Sequence, residues 1–459
     1  MKLFHLPFYL LLAAVCLAPL PFGAVQIGAW SALVLVIGMA LAGWSIAVAA
    51  ADRPEVRLRR VVVPLVAFSL VAAWIVVQLG TFTPEAWHHP IWSIARESLG
   101  VPLAGRVSID PEAGWFGLIR LLAYGAVFWL AYQYGADAQL ARRALRTFAI
   151  AGAAAAGVGV FIWSAGLSHL LWFDESFLRV QLRYGARLAL PFVNPNHLAG
   201  FASFGLICTV GLIAGETRGL WRPETGRREK LRRFADEVMS RQWPLLIAGM
   251  VYVAAIVLSQ SRGGLAALVV GLLVMWAALL RRSEPRSSRA VAIAALAIVA
   301  TGLIFAPTVG RFADRIGKVE DEAVQRVEIY RNALAAIEAS PMLGYGFGSF
   351  PALYQMYDGR DVHAVVNAAH STILENTVEL GIPAAMALFT AVLWPAIGCW
   401  RGAGARRRDQ HIPALAAGVA AAAVIHSMVD FPLQIPAIAS ALSLVLGLGF
   451  AQSLSSRST

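Results

Sequence analysis

Along most of this chain, apolar residues follow no helical or strand period against polar ones. They gather in blocks of about twenty, and polar residues are confined to the connections. A helix of that length crosses the roughly 30 Å hydrocarbon core of a bilayer. Twelve such spans are predicted, at 3–22, 26–50, 61–79, 115–134, 147–166, 197–214, 244–260, 264–280, 290–308, 380–400, 412–430 and 436–453. Three connections are long: 80–114, 167–196 and 309–371. Within the last, DEAVQRVEIYRNALAAIEAS (321–340) predicts a helix that Pro341 stops, and GYGFG (344–348) follows as a mobile loop. On the opposite set of connections, residues 215–241 predict a basic amphipathic helix lying on the membrane surface. No internal repeat is visible. The first span follows Lys2 as a signal peptide would, but its length and the lack of a clean A-x-A site favour a retained helix.

Composition sharpens the picture. The chain is 58% hydrophobic and 14% charged, where a soluble domain is about one quarter charged. The expected fold is all-α, a polytopic membrane protein of about twelve transmembrane helices with one large outer loop. A net charge of +11 raises the question of nucleic acid, and the placement of the charge answers it. With the N-terminus inside, the inner connections hold 25 of the 38 Lys and Arg and the outer ones 12, while Arg120 lies inside a span. That is the positive-inside pattern, so both termini are expected in the cytoplasm and no nucleic-acid partner is implied. Anionic membrane lipid is the natural partner for the excess. Cys16, Cys208 and Cys399 all fall in apolar spans and form neither a disulfide framework nor a CxxC pattern.

The candidate chemistry gathers on the outer connections. Arg179, Arg183 and Arg187 lie in FLRVQLRYGARLALPFVNPNH, Arg262 in SQSRGG between two spans, and Arg311, Arg315, Arg326 and Arg331 in the large loop. A guanidinium is always charged and grips phosphate oxygens with a planar fork; the alternative is a structural ion pair or a snorkelling side chain. Arg262 is the most informative, because a charge at the membrane boundary is costly unless paired or functional.

The stretch AAHSTILENTVELG (368–381) places His370, Glu375 and Glu379 just before an apolar span. His370 is the natural candidate for a general base. Glu375 and Glu379 share a helical face, where they repel unless a cation or a raised pKa intervenes; the other reading is an acidic helix N-terminus. Were His370 part of that helix, it would point about 140° from Glu375, so the turn before the helix is its expected place. No HExxH or comparable ligand spacing appears, although His363 and His370 are seven apart and His88 and His89 adjacent. Asn194 and Asn196 in NPNH cap a helix or bind sugar hydroxyls. His426 and Asp430 fall one helical turn apart, as a functional or a helix-tying pair. The expected sites are catalytic His370, Arg262 and Arg187, with substrate contacts from Arg183, Asn194, Asn196, Arg326, Arg331, Tyr345, Glu375 and Glu379.

The order R-x(6)-NPN, SRGG, R-x(4)-R before P-x-x-GYGFGSF, and H-x(4)-E-x(3)-E-x-G resembles the O-antigen ligase and O-antigen polymerase superfamily, over roughly 180–436. The resemblance implies a bacterial inner-membrane glycosyltransferase that needs neither metal nor cofactor. Residues 1–180 would supply five N-terminal helices, 181–453 the catalytic region, and 454–459 a cytoplasmic tail. The donor would be a glycan on undecaprenyl diphosphate, and the acceptor a hydroxyl of a glycan, of lipid A-core or of a protein. The glycan would belong to lipopolysaccharide or to an exopolysaccharide. Arg187 and Arg262 would hold the diphosphate, with Arg326 or Arg331 as loop contacts, and His370 would take the acceptor's proton. Family members often read His-Asn where this chain reads His370-Ser371, so Ser371 or Asn367 would have to orient the imidazole. The rival class is a transporter or flippase, which usually places its charges in mid-span.

Overall fold

The structure, a computed structural model, describes residues 2–51, 56–167, 187–217, 238–281, 316–357, 368–406 and 408–453, with isolated positions between 228 and 236. All regular structure among them is helical. In chain order the helices are α1 (Lys2–Leu17), α2 (Ile27–Ala49), α3 (Val62–Leu79), α4 (Ile91–Leu99), α5 (Pro111–Tyr134), α6 (Ala138–Ser164), α7 (Pro195–Thr217), α8 (Trp243–Ser259) and α9 (Arg262–Leu280). They continue as α10 (Ile316–Ala339), α11 (Phe350–Tyr357), α12 (Thr372–Leu380), α13 (Ile382–Ala405), α14 (His411–Val429) and α15 (Pro436–Gln452).

Nine of the described helices (α2, α3, α5–α9, α13 and α14) are long and apolar enough to cross a membrane, and α1 and α15 are shorter apolar helices. The expected spans thus fall on helices, except the one at 290–308, which lies outside the described residues, as does most of the 215–241 segment. Helix starts follow local chemistry. Asp110 caps α5 by accepting from Ala113 N at 3.0 Å, and Ser261 caps α9 through Gly264 N at 3.1 Å. The bundle is layered. α7 and α14 are buried over most of their lengths, whereas α2, α3 and α13 expose much of their apolar surface. Small residues bring the inner helices together: a Cβ on Gly418 of α14 would come within 2.6 Å of the Gly271 carbonyl of α9.

At one end of the bundle a second, smaller core is built from Ile109, Ile329, Tyr345, Phe350 and Val378. It covers the C-terminal end of α3 and the N-terminal end of α5. The GYGFG segment, expected to be mobile, is knitted into this layer: Tyr345 N donates to Val378 O at 3.2 Å, Gly346 N to Glu379 O at 3.0 Å, and Ile109 N to Tyr345 O at 3.0 Å. Gln78 of α3 adds two bonds, to Leu343 O at 2.7 Å and Glu379 O at 2.8 Å. A glycine-rich segment is free only when its N–H groups lack fixed acceptors, and these have them.

Candidate active site

His370 lies outside the helix that follows it. Ser371 is the N-cap of α12, accepting from Leu374 N at 3.4 Å, and His370 precedes it in the left-handed region at φ +51°. This is the turn expected for it, although the carboxylate it meets there is Asp430 and not Glu375 or Glu379. A side chain with a Cβ adopts that conformation at a cost of about 1–2 kcal/mol, so the surroundings must hold it there. Tyr330 of α10 does so from one side, its hydroxyl donating to His370 O at 3.0 Å.

The imidazole meets Asp430, which follows the last residue of α14. His370 Nδ1 stands 3.7 Å from Asp430 Oδ1, within ion-pair range and just beyond hydrogen-bond length. The Asp430 carboxylate is 2% exposed, yet it is well supplied with donors. Phe431 N donates to Oδ1 at 2.9 Å and the Asn196 amide to Oδ2 at 2.7 Å. Burial pushes the Asp430 carboxyl upward, but the His370 ring, the nearby His197 and His426 and the Phe431 amide outweigh it and hold the group below its ordinary range. Asp430 therefore stays ionised.

From Asp430 the polar chain runs on. Asn196 Oδ1 accepts from Arg187 Nη2 at 3.0 Å, and Arg187 Nε donates to Ser259 O at 3.0 Å. A guanidinium, an amide, a carboxylate and an imidazole are thus linked in one line, drawn from α7 and from the residues flanking α7, α12 and α14. Arg262 is exposed at the first position of α9. Its neighbour Gly263 packs near Val429 and His426 of α14, with a Cβ there 3.3 Å from Val429 Cγ2. Arg326 Nη1 donates to Val429 O at 3.4 Å, the residue just before Asp430, and Arg331 is exposed on the same helix.

Several expected contacts have other partners. Asn194 Oδ1 accepts from Asn196 N at 2.8 Å, a helix cap. The Tyr345 side chain is buried and its hydroxyl donates to Ala336 O at 3.2 Å. Glu375 accepts from Ala369 N at 2.8 Å and from the Gln434 amide. Glu379 accepts from Phe350 N at 3.0 Å. No cation reaches either glutamate at ion-pair distance among the described residues, and burial, reinforced for Glu375 by Glu379, raises both carboxyls well above the usual range. Arg179, Arg183, Arg311, Arg315, His363 and Asn367 lie outside the described residues. Asp430 is the residue that sequence reasoning weighed only as a partner of His426, one turn before it.

Beside the polar chain opens a cavity of about 1280 Å³. Most of its wall is apolar, with Leu65, Phe68, Leu121, Phe389, Val392 and Leu442 among the lining residues. At one end it reaches Asn194, His197, Thr372, Glu375 and Phe431. The Phe431 ring lies against His370, with centroids 5.3 Å apart, and against His197 at 4.9 Å. The cavity therefore abuts the His370–Asp430 pair with one aromatic ring between.

A multi-pass helical membrane protein with an imidazole–carboxylate pair next to an apolar cavity is suited to chemistry on a lipid-borne substrate. The comparison with known families agrees. Residues 247–389 match the family model described as O-Antigen ligase, which covers α9 and the His370 segment and falls on the stretch where the motif order resembles that superfamily. The match points to glycan transfer in polysaccharide assembly. No curated protein matches the chain.

Proposed function

We propose that this protein transfers a glycan from a polyprenyl diphosphate, of the undecaprenyl type, to an acceptor hydroxyl at the periplasmic face of a bacterial inner membrane, as a ligase or a polymerase. The observation that carries the reading is the continuous line Arg187–Asn196–Asp430–His370 beside an apolar cavity of about 1280 Å³.

The chemistry follows from the atoms. Asp430 faces Nδ1, which favours the tautomer with the proton on Nδ1 and leaves Nε2 as the accepting nitrogen. Nε2 takes the proton of the acceptor hydroxyl as its oxygen bonds to the anomeric carbon. The bond from that carbon to the diphosphate breaks, and the diphosphate leaves with the electron pair. Asp430 stabilises the imidazolium that forms, in the manner of the carboxylate in a serine-protease triad. The growing negative charge on the leaving group is met by guanidinium groups, for which Arg187 and Arg262 are the candidates. The donor's isoprenoid chain fits the apolar cavity. Within the long apolar helices the charged side chains lie toward the ends, with Arg120 the main exception, which supports surface chemistry over transport.

Mass spectrometry of lipid-linked glycans in a deletion strain tests the reading, with complementation by wild type or His370→Ala. Single repeat units accumulating on the carrier mark a polymerase, and long chains stranded there mark a ligase. An unchanged lipid-linked pool sinks the proposed donor, and full rescue by His370→Ala removes the histidine as base.

A further inference from the structure

The two halves of the His370–Asp430 pair are carried by different loops. His370 sits on the turn 368–371 and Asp430 on the turn 430–435, and neither is part of a helix. The gap between them is 3.7 Å, so closing it to an ordinary hydrogen bond of about 3 Å needs a movement of under 1 Å. Whatever holds the loops relative to each other sets the orientation of the base.

One side chain touches both. Glu375, on the first turn of α12, is 4% exposed and spends each carboxyl oxygen on a different loop. Oε2 accepts from Ala369 N at 2.8 Å, the amide immediately before His370. Oε1 accepts from the Gln434 amide, four residues beyond Asp430. Two bonds from Thr372 run in parallel, its backbone N and its Oγ1 both donating to Asp430 O at 3.2 Å. These tie Asp430 to the first residue of α12, however, and not to the left-handed turn that aims His370. A residue held at φ +51° keeps that conformation only where its surroundings over-determine it, and the Ala369 bond lies one residue away.

We propose that Glu375 is a positioning residue: it braces the His370 turn against the Asp430 turn and thereby fixes the separation and orientation of imidazole and carboxylate. It sits in the wall of the cavity with both oxygens already engaged by protein donors, and its role is to aim His370. This assignment rests on the reading of His370 as the base. It explains why a buried carboxyl is kept at this position with no cation at ion-pair distance among the described residues. An acceptor group is needed there, and a formal charge is not.

The experiment compares Glu375→Ala, Glu375→Gln and Gln434→Leu in the purified full-length protein, with a synthetic glycan on polyprenyl diphosphate as donor and a membrane extract of the deletion strain as acceptor. Misplacing a catalytic group by about 1 Å costs roughly 100-fold in rate. Glu375→Ala is therefore expected to lower kcat by about that factor while the KM for the donor stays near the wild-type value. Glu375→Gln keeps an acceptor for Ala369 N, and its NH2 donates to Gln434 once that side-chain amide turns its oxygen inward, so it is expected to restore most of kcat. Gln434→Leu severs one arm only and gives an intermediate loss, which keeps the test open should Glu375→Ala fold poorly. Wild-type kcat in both Glu375→Ala and Gln434→Leu overturns the brace. A rise in KM with unchanged kcat also overturns it, in favour of direct substrate contact. Absence of transfer by the wild type itself overturns the proposed function instead.

Discussion

The side-chain amide of Asn196 donates to Asp430 Oδ2 at 2.7 Å, joining the first turn of α7 to the loop after α14 across 234 positions of sequence. Removing the donor leaves a buried carboxylate oxygen without it, at about 1–3 kcal/mol. Asn196→Ala should lower the melting temperature of the purified protein accordingly. Asn196→Asp should lower it further, because it sets two carboxylates face to face. Equal melting of Asn196→Ala and wild type would show that water replaces the amide without loss.

Arg187 uses two nitrogens of its guanidinium, Nε on Ser259 O and Nη2 on Asn196 Oδ1, both at 3.0 Å. A lysine has the charge but not the fork. Arg187→Lys is expected to keep the fold, judged by melting, yet lose about tenfold or more in kcat/KM for the lipid-linked donor. Full activity in Arg187→Lys would reduce the residue to a point charge.

The buried pair Glu375 and Glu379 makes a prediction for pH. Burial raises both carboxyls, so the folded protein holds protons that the unfolded chain releases near pH 4.3, about the ordinary glutamate value. Their contribution to stability is complete below that value and is lost as pH rises through the elevated folded values. Melting temperature should therefore decline from mildly acidic pH toward alkaline pH. The double variant Glu375→Gln, Glu379→Gln should flatten that slope, and a slope identical to wild type would mean the two groups do not carry it.

Two glycines with positive φ separate backbone freedom from crowding. Gly346, at φ +105°, has Ser108 where a side chain would go, with Ser108 Cβ 2.6 Å from an added Cβ, whereas Gly100, at φ +66°, has open space. Gly100→Ala should cost only the left-handed penalty of about 1–2 kcal/mol. Gly346→Ala adds a clash and should exceed it by about 1–3 kcal/mol. Urea or thermal unfolding of both variants measures the difference, and equal costs would mean that the segment around Ser108 yields.

The spans were legible because a block of twenty apolar residues has one favourable fate in a bilayer. His370 and Arg187 stood out because an imidazole and a guanidinium beside a membrane boundary are costly to leave unpaired, and the structure sets both on the polar chain that runs through Asp430. Asp430 did not stand out. Its backbone leaves α14 in an extended conformation at φ −158°, which turns the carboxylate away from the helical register in which it pairs with His426. Its partner Asn196 then lies on a helix far away in the chain, and no local pattern encodes that contact. Tyr345 and the two glutamates looked like ligand groups for a related reason. Whether a polar side chain faces a substrate or a backbone amide is decided by tertiary packing, and here the amides of Ala369 and Phe350 took the glutamates.

The left-handed backbone at His370 carries a practical corollary for anyone engineering this protein. Residue types that accept φ near +50° at least cost are glycine and asparagine, and neither brings an imidazole. With His370 as the proposed base, a screen that rewards heat resistance alone would drift toward chains that are sturdier and silent, so durability and turnover have to be selected together.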